Sequence, residues 1–176
     1  QRAKDSASIF GIHEDRAYEN VQQLIESELQ LDEKDRIDFV SIATPNHTHA
    51  EIAQAALKAG FHVVCDKPMT NKVEDARALV KTVEQTGKIF ALTHNYTGYP
   101  MIRQAREIIE AGEIGDILAI RATYLQGWLT TLDESVAAPR GVWKSDPDKA
   151  GSGSLGDIGT HAYNLLRFVT GLNVNR

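Results

Sequence analysis

The chain has 176 residues, 42% of them hydrophobic and 24% charged, which is enough for one good core or two incomplete ones. A formal net charge of -5, with acids and bases interspersed, offers no basic stripe for phosphates and argues against nucleic acid as a partner. No apolar run reaches the length of a membrane span, the opening QRAKDSAS has no signal-peptide core, and the single cysteine, Cys65, excludes an internal disulfide; together they predict a cytoplasmic protein without a membrane partner.

Residues 1–36 carry the weakest pattern. A helix is expected from Glu19 to Gln30, with Val21, Leu24, Ile25 and Leu29 on one face, followed by the solvated connection LDEKDR. From Ile37 the pattern becomes regular. IDFVSIAT, Ile37 to Thr44, reads as a strand, PNHTH as a loop, and AEIAQAALKA as a helix closed by Gly60; Thr48 and Glu51 have the spacing of a capping box. FHVVCDKP, Phe61 to Pro68, is a short apolar run bounded by Gly60 and ended by Pro68, so it reads as a buried strand. Strand, helix and strand make a βαβ unit with parallel strands. The pattern repeats with a helix that Asn71 and Glu74 can cap, Val73, Ala76, Val80 and Val83 on its apolar face, Gly87 as its stop, and KIFALTHN as a third strand.

Parallel strands place their carboxyl ends on one edge, where ligands of open α/β sheets bind. Three polar loops should therefore meet there: Thr44 to His49, Asp66 to Pro68 and Thr93 to Tyr96. Lys67, delivered to the point where its strand stops, is the first candidate for chemistry.

After Tyr99-Pro100 a helix should run to about Ala111, with Ile102, Ala105, Ile108 and Ile109 inward, as the hinge between domains. Ile117 to Leu125 alternates well enough for a strand, and residues 126–154 form a long irregular region with Trp128, Trp143, Lys144 and the run AGSGS. The last helix, LGDIGTHAYNLLRFVTG, places Leu155, Ile158, Ala162, Leu165, Leu166 and Val169 at helical spacing, and stacks Asp157 and His161 on one side.

A strand-end lysine, a histidine with an acid one helical turn away, and a sheet edge suited to a dinucleotide suggest hydride transfer from an alcohol. That reaction needs a nicotinamide to accept the hydride, a base for the hydroxyl proton and a cation to favour the developing alkoxide. His161 suits the base, Asp157 could orient the imidazole or bind a substrate hydroxyl, and Lys67 suits the cation. Taken singly, the Asp/His pair is also consistent with a surface hydrogen bond and the lysine with solvation. His47 and His49 lack the companions of a metal site, so no metal is expected, and Cys65 in an apolar strand reads as packing.

These residues resemble the glucose-fructose oxidoreductase and inositol dehydrogenase family (Gfo/Idh/MocA) over about Ile37 to Gly171. TPNHTHAEIAQAALKAGFHVVCDKP is similar to that family's loop, helix and Lys-Pro strand end, and GSGSLGDIGTHAYNLL to its catalytic helix. The resemblance implies that Lys67 holds substrate and nicotinamide in place, that His161 accepts the proton and that Asp157 assists. It implies that Thr44, Pro45, Asn46, His47 and Asn95 lie along NAD or NADP with Asp66, Lys67 and Pro68, and that Trp143 and Lys144 border the substrate, a sugar, cyclitol or related polyol. Asp66 stands where the family usually has glutamate, and Asn164 where many members have an acid. The GxGxxG spacing occurs only at Gly151 to Gly156, which does not directly follow a strand, so the opening strand and glycine-rich turn that would cradle a pyrophosphate are missing, and the chain alone is expected to be inactive.

The architecture expected is thus α/β: a partial Rossmann-type parallel sheet over residues 1–99 with its first βα units missing, then a linker helix and the start of a second α/β domain over residues 100–176. The full-length protein is expected to be a homo-oligomer. A second reading stays open, in which the chain is a non-catalytic remnant, or merely binds sugar or nucleotide.

Overall fold

The computed structural model describes residues 2–127, 147–151 and 153–175. Helices α1 (Arg2–Phe10) and α2 (Val21–Leu29) precede strand β1 (Phe39–Ile42); α3 (His49–Lys58), β2 (His62–Asp66), α4 (Val73–Thr86) and β3 (Phe90–Thr93) follow in alternation. Beyond them lie α5 (Pro100–Glu110), the short α6 (Pro147–Ala150), and α7 (Thr160–Thr170), which is entered through a π-turn at Leu155–Gly159. The strands pair in parallel in the order β1-β2-β3, with Ile42 opposite Cys65 and Cys65 opposite Leu92. Two helix crossovers join them, as the sequence predicts.

Alternation along the strands selects the core. Val40 and Ile42 in β1, and Val63 and Cys65 in β2, are buried, while Phe39 and Ser41 are exposed. Ala53, Ala56 and Leu57 of α3 pack with them, joined by Ile25, Phe61 and Leu79. Leu57 is completely buried, a gain of about 2 kcal/mol for a leucine side chain. The small alanines let α3 approach both the sheet and α4.

Several expected details differ. Asn20, not Glu19, starts α2: its side chain accepts from the Gln23 amide at 2.9 Å. Leu29 is exposed, and the position turned inward beside Ile25 is Glu28. That carboxylate accepts from Arg16 Nε at 3.0 Å, Tyr18 Oη at 2.6 Å and the Ile37 amide at 2.8 Å, so the segment with the weakest pattern ties its turn and α2 to the approach of β1.

The capping box does not form. The turn Asn46–Thr48 is already 3₁₀-helical and runs straight into α3, leaving Thr48 at φ -95°, ψ -12° instead of the extended backbone that a cap requires. Its hydroxyl turns back to the Pro45 carbonyl at 2.8 Å. At the start of α4 the cap position is Lys72, without a side-chain cap bond, so the expected Asn71 and Glu74 cap is also replaced. The buried face of α4 carries Leu79 and Thr82, with Val73 and Val80 exposed. Thr82 can be buried because its hydroxyl bonds back to the Ala78 carbonyl at 3.0 Å. Gly87 does end the helix, in the left-handed conformation at φ 63°.

Residues 117–127 form no strand. A strand needs a neighbour for its ladder, and among the described residues none pairs with this segment. Helix α5 turns the expected stripe of Ile102, Ala105, Ile108 and Ile109 inward, half-buried against α7 and its surroundings.

Candidate active site

Strand β2 stops at Asp66, just before Lys67 and Pro68, which are joined by a cis peptide bond. The Asp66 carboxylate accepts from the Lys67 amide at 2.8 Å and from Thr93 Oγ1 at 3.0 Å, which joins the ends of β2 and β3. On the other side His49, 1% exposed, holds the ends of β1 and β2 together: its Nε2 lies 2.8 Å from the Thr44 carbonyl and its Nδ1 2.8 Å from the Pro68 carbonyl. Three loop ends are thereby fixed into one edge.

Lys67 leaves that edge toward the π-turn before α7. Its Nζ donates to Asp157 Oδ1 at 2.6 Å and to the Asp157 carbonyl at 2.8 Å, with the two side chains only 13% and 18% exposed. A π-turn carries one extra residue in its ring, and such turns recur at functional sites. Asp157 lies within this turn, Leu155–Gly159, and both its carboxylate and its carbonyl accept from Lys67. Gly151, at φ 75°, comes so close to the segment before α4 that a Cβ would stand 3.0 Å from the Asn71 side chain.

His161 is 7% exposed and surrounded by rings: Tyr96 edge-on with centroids 4.6 Å apart, and His94 and Tyr124 each at 6.3 Å. Burial, then the positive charge of Lys67 and the neighbouring His94, hold its pKa below the usual imidazole value, while Asp157 and Asp66 pull it back up. His94 is lowered in the same way, by burial and by Lys67, against Asp66. Tyr96 is raised to about 12, chiefly by its hydroxyl bond to Tyr124. Below His94 opens a cleft of about 200 Å³ lined by Pro68, Leu92, Thr160, Asn164 and Arg167 among others.

A Gfo/Idh/MocA model described as an oxidoreductase family with an NAD-binding Rossmann fold matches residues 1–106, and the GFO/IDH/MocA C-terminal domain model matches residues 102–176. The chain belongs to the Gfo/Idh/MocA oxidoreductase family.

Among Gfo/Idh/MocA relatives, the chain is 37% identical over 170 residues to the uncharacterized oxidoreductase YfiI of Bacillus subtilis, covering 96% of this chain and 43% of that protein. It is 40% identical over 141 residues to levoglucosan dehydrogenase of Pseudarthrobacter phenanthrenivorans, covering 80% of this chain and 35% of that protein. The crystal structure of an inositol dehydrogenase homologue from Azotobacter vinelandii complexed with NAD+ superposes with a TM-score of 0.91 at 34% identity, over 97% of this chain and 43% of that one. The chain therefore spans less than half the length of these relatives.

Of the residues expected in a Gfo/Idh/MocA site, Lys67, Asp157 and His161 converge as described. Asp66 and Pro68 are engaged in joining the strand ends. Thr44 and His47 are exposed at the end of β1, Pro45 is half-buried, and Asn95 is exposed at the start of the 3₁₀ turn Asn95–Gly98 after β3. Asn46 differs: it is buried, and its side-chain amide donates to the Ala150 carbonyl at 3.3 Å, so it anchors α6. Trp143 and Lys144 lie outside the described residues. His49, His94, Tyr96 and Tyr124 were not among the expected site residues. The sequence signal for His94 and Tyr96 was their place in the third polar loop; Tyr124, in a presumed strand of another segment, gave none. Cys65 is fully buried with its thiol pushed to about 12 by burial and then by Asp66, in keeping with a packing role. Among the described residues, no helix is long and apolar enough to cross a membrane.

Proposed function

We propose that this chain carries the hydride-transfer site of a cytoplasmic NAD- or NADP-dependent dehydrogenase that oxidises a hydroxyl of a sugar, cyclitol or related polyol, or reduces the corresponding carbonyl. The observation that carries the reading is the Lys67–Asp157 ion pair at the carboxyl edge of a parallel sheet, beside a buried His161. The names of the relatives agree with it: one is a levoglucosan dehydrogenase, and a structural neighbour is an inositol dehydrogenase homologue holding NAD+.

The residues fit a dinucleotide along the strand ends. Thr44, Pro45, His47, Asp66, Lys67, Pro68 and Asn95 would border it, with the exposed Thr44, His47 and Asn95 offering hydrogen-bonding groups. When bound, the nicotinamide supplies the two-electron acceptor for the hydride. His161, neutral because it is buried beside a cation, takes the hydroxyl proton. Lys67 places positive charge where the alkoxide develops, which favours the transition state over the alcohol. Asp157 holds the Lys67 ammonium and keeps its direction fixed; Trp143 and Lys144 are proposed to border the substrate. Residues 1–99 serve as the remainder of the dinucleotide domain and residues 100–176 as the linker helix and start of the catalytic domain, in a homo-oligomer.

The test is turnover of the whole protein with NAD and NADP against a panel of sugars and cyclitols, followed by absorbance of the reduced nicotinamide. Turnover that depends on His161 and Lys67 is the expected result. Undiminished turnover by His161→Ala would overturn the assignment of the base.

A further inference from the structure

The aromatic cluster around His161 does more than exclude water. An imidazole joined through a soft terminal torsion can turn about its own axis, so a base buried without a fixed wall would present its nitrogens in more than one direction. Tyr96 supplies that wall. Its ring meets His161 edge-on at 4.6 Å and 66°, nearer than the His94 and Tyr124 rings. It also stands 5.7 Å from Tyr99 and 5.8 Å from Tyr124, so it touches every other aromatic ring of the group except His94. What fixes Tyr96 is its hydroxyl, bonded to that of Tyr124. The two phenols come from separate segments, the turn after β3 and the stretch after α5, so one hydrogen bond joins the sheet edge to the segment leading into the second part.

We propose that Tyr96 is a positioning residue for His161, locked in place by its hydroxyl bond to Tyr124, so that the geometry of the base depends on contact between these two segments. This rests on the reading of His161 as proton acceptor. The titratable and charged groups facing His161 are Lys67 and Asp66 at the end of β2, His94 and Tyr96 after β3, Tyr124, and Asp157 on its own turn.

The lock predicts a pattern that simple packing would not. Tyr96→Phe and Tyr124→Phe each remove the same bond and keep the ring, so each should lower kcat of the whole protein about 3- to 10-fold with KM little changed. The double variant should be no slower than the slower single one, because only one bond is lost. Tyr96→Ala admits water to His161, and should raise the pH at which kcat/KM falls on the acid side toward the ordinary imidazole value. The same upward move should be seen in an NMR titration of the His161 ring, and not in Tyr96→Phe. Independent, additive losses in the two Phe variants, a rise in KM at constant kcat, or an NMR titration of His161 unmoved by Tyr96→Ala would each overturn the proposal. If His161→Ala retained activity, the proton-acceptor reading would fall, and the NMR titration would still decide whether Tyr96 sets the environment of this ring.

Discussion

Lys67 reaches Asp157 with two hydrogen bonds from a single ammonium, and both side chains are mostly withdrawn from water. Low local dielectric strengthens that contact and also the field Lys67 exerts on a developing alkoxide. Lys67→Ala should therefore lower kcat by about 10²- to 10³-fold in steady-state assays, the range seen when one oxyanion-stabilising donor is lost. His161 gives a pH signature. A base accepts a proton only when neutral, and burial, followed by Lys67 and His94, keeps this imidazole neutral to lower pH than the ordinary 6.5. The acid limb of kcat/KM for alcohol oxidation should thus lie below that value, whereas a limb above it would contradict the desolvated setting. The sign for stability follows from the same shift. Between the ordinary and the lowered value the unfolded chain binds the proton that the folded chain refuses, so stability falls as pH drops through that window.

Elements bring these residues together by ending where they do. Strand β2 was legible because an apolar run bounded by glycine and proline has few other conformations open to it, and helices α3 to α5 because their periodicity and glycine stops agree. Their inner details were less legible. The face expected on α4 included Val73 and Val80, and packing against α3 and the sheet buried Leu79 and Thr82 instead. The π-turn left no periodic signature, since Leu155 to Val169 fits an ordinary helix, yet it carries the Asp157 that pairs with Lys67. Glu28 is a sharper case: a glutamate in a polar helix reads as surface, but it is fully buried with three partners. Burial pushes its pKa up, and the bonds from Arg16, Tyr18 and the Ile37 amide outweigh that and hold it below its usual value. Glu28→Ala should destabilise the protein by about 2 to 3 kcal/mol in urea unfolding, because Arg16, Tyr18 and the Ile37 amide lose their acceptor. The wild-type contribution is fully present above the ordinary glutamate pKa and is lost as pH falls through the lowered one.

At the scale of the whole molecule, large apolar side chains stand in solvent: Leu118 is 95% exposed, Leu125 88%, Ile9 79% and Val174 77%. Together with the groove lined by Ile109, Ile120, Leu165 and Val169, they leave much apolar surface in solvent among the described residues. The 176-residue chain should self-associate, visible as concentration-dependent sedimentation at micromolar protein; a single monomeric boundary at all concentrations would show that this surface is tolerated. The sequence by itself determined the alternation of strand and helix, the parallel order, and the arrival of Lys67 at the sheet edge, because hydrophobic period, capping glycines and βαβ handedness are local or nearly local rules. Tertiary structure alone decided the rest. The pairing of Lys67 with Asp157 across 90 residues, the enclosure of His161 by Tyr96 and Tyr124, and the burial of Glu28 depend on which distant surfaces meet, and no local pattern of residue types encodes that distance.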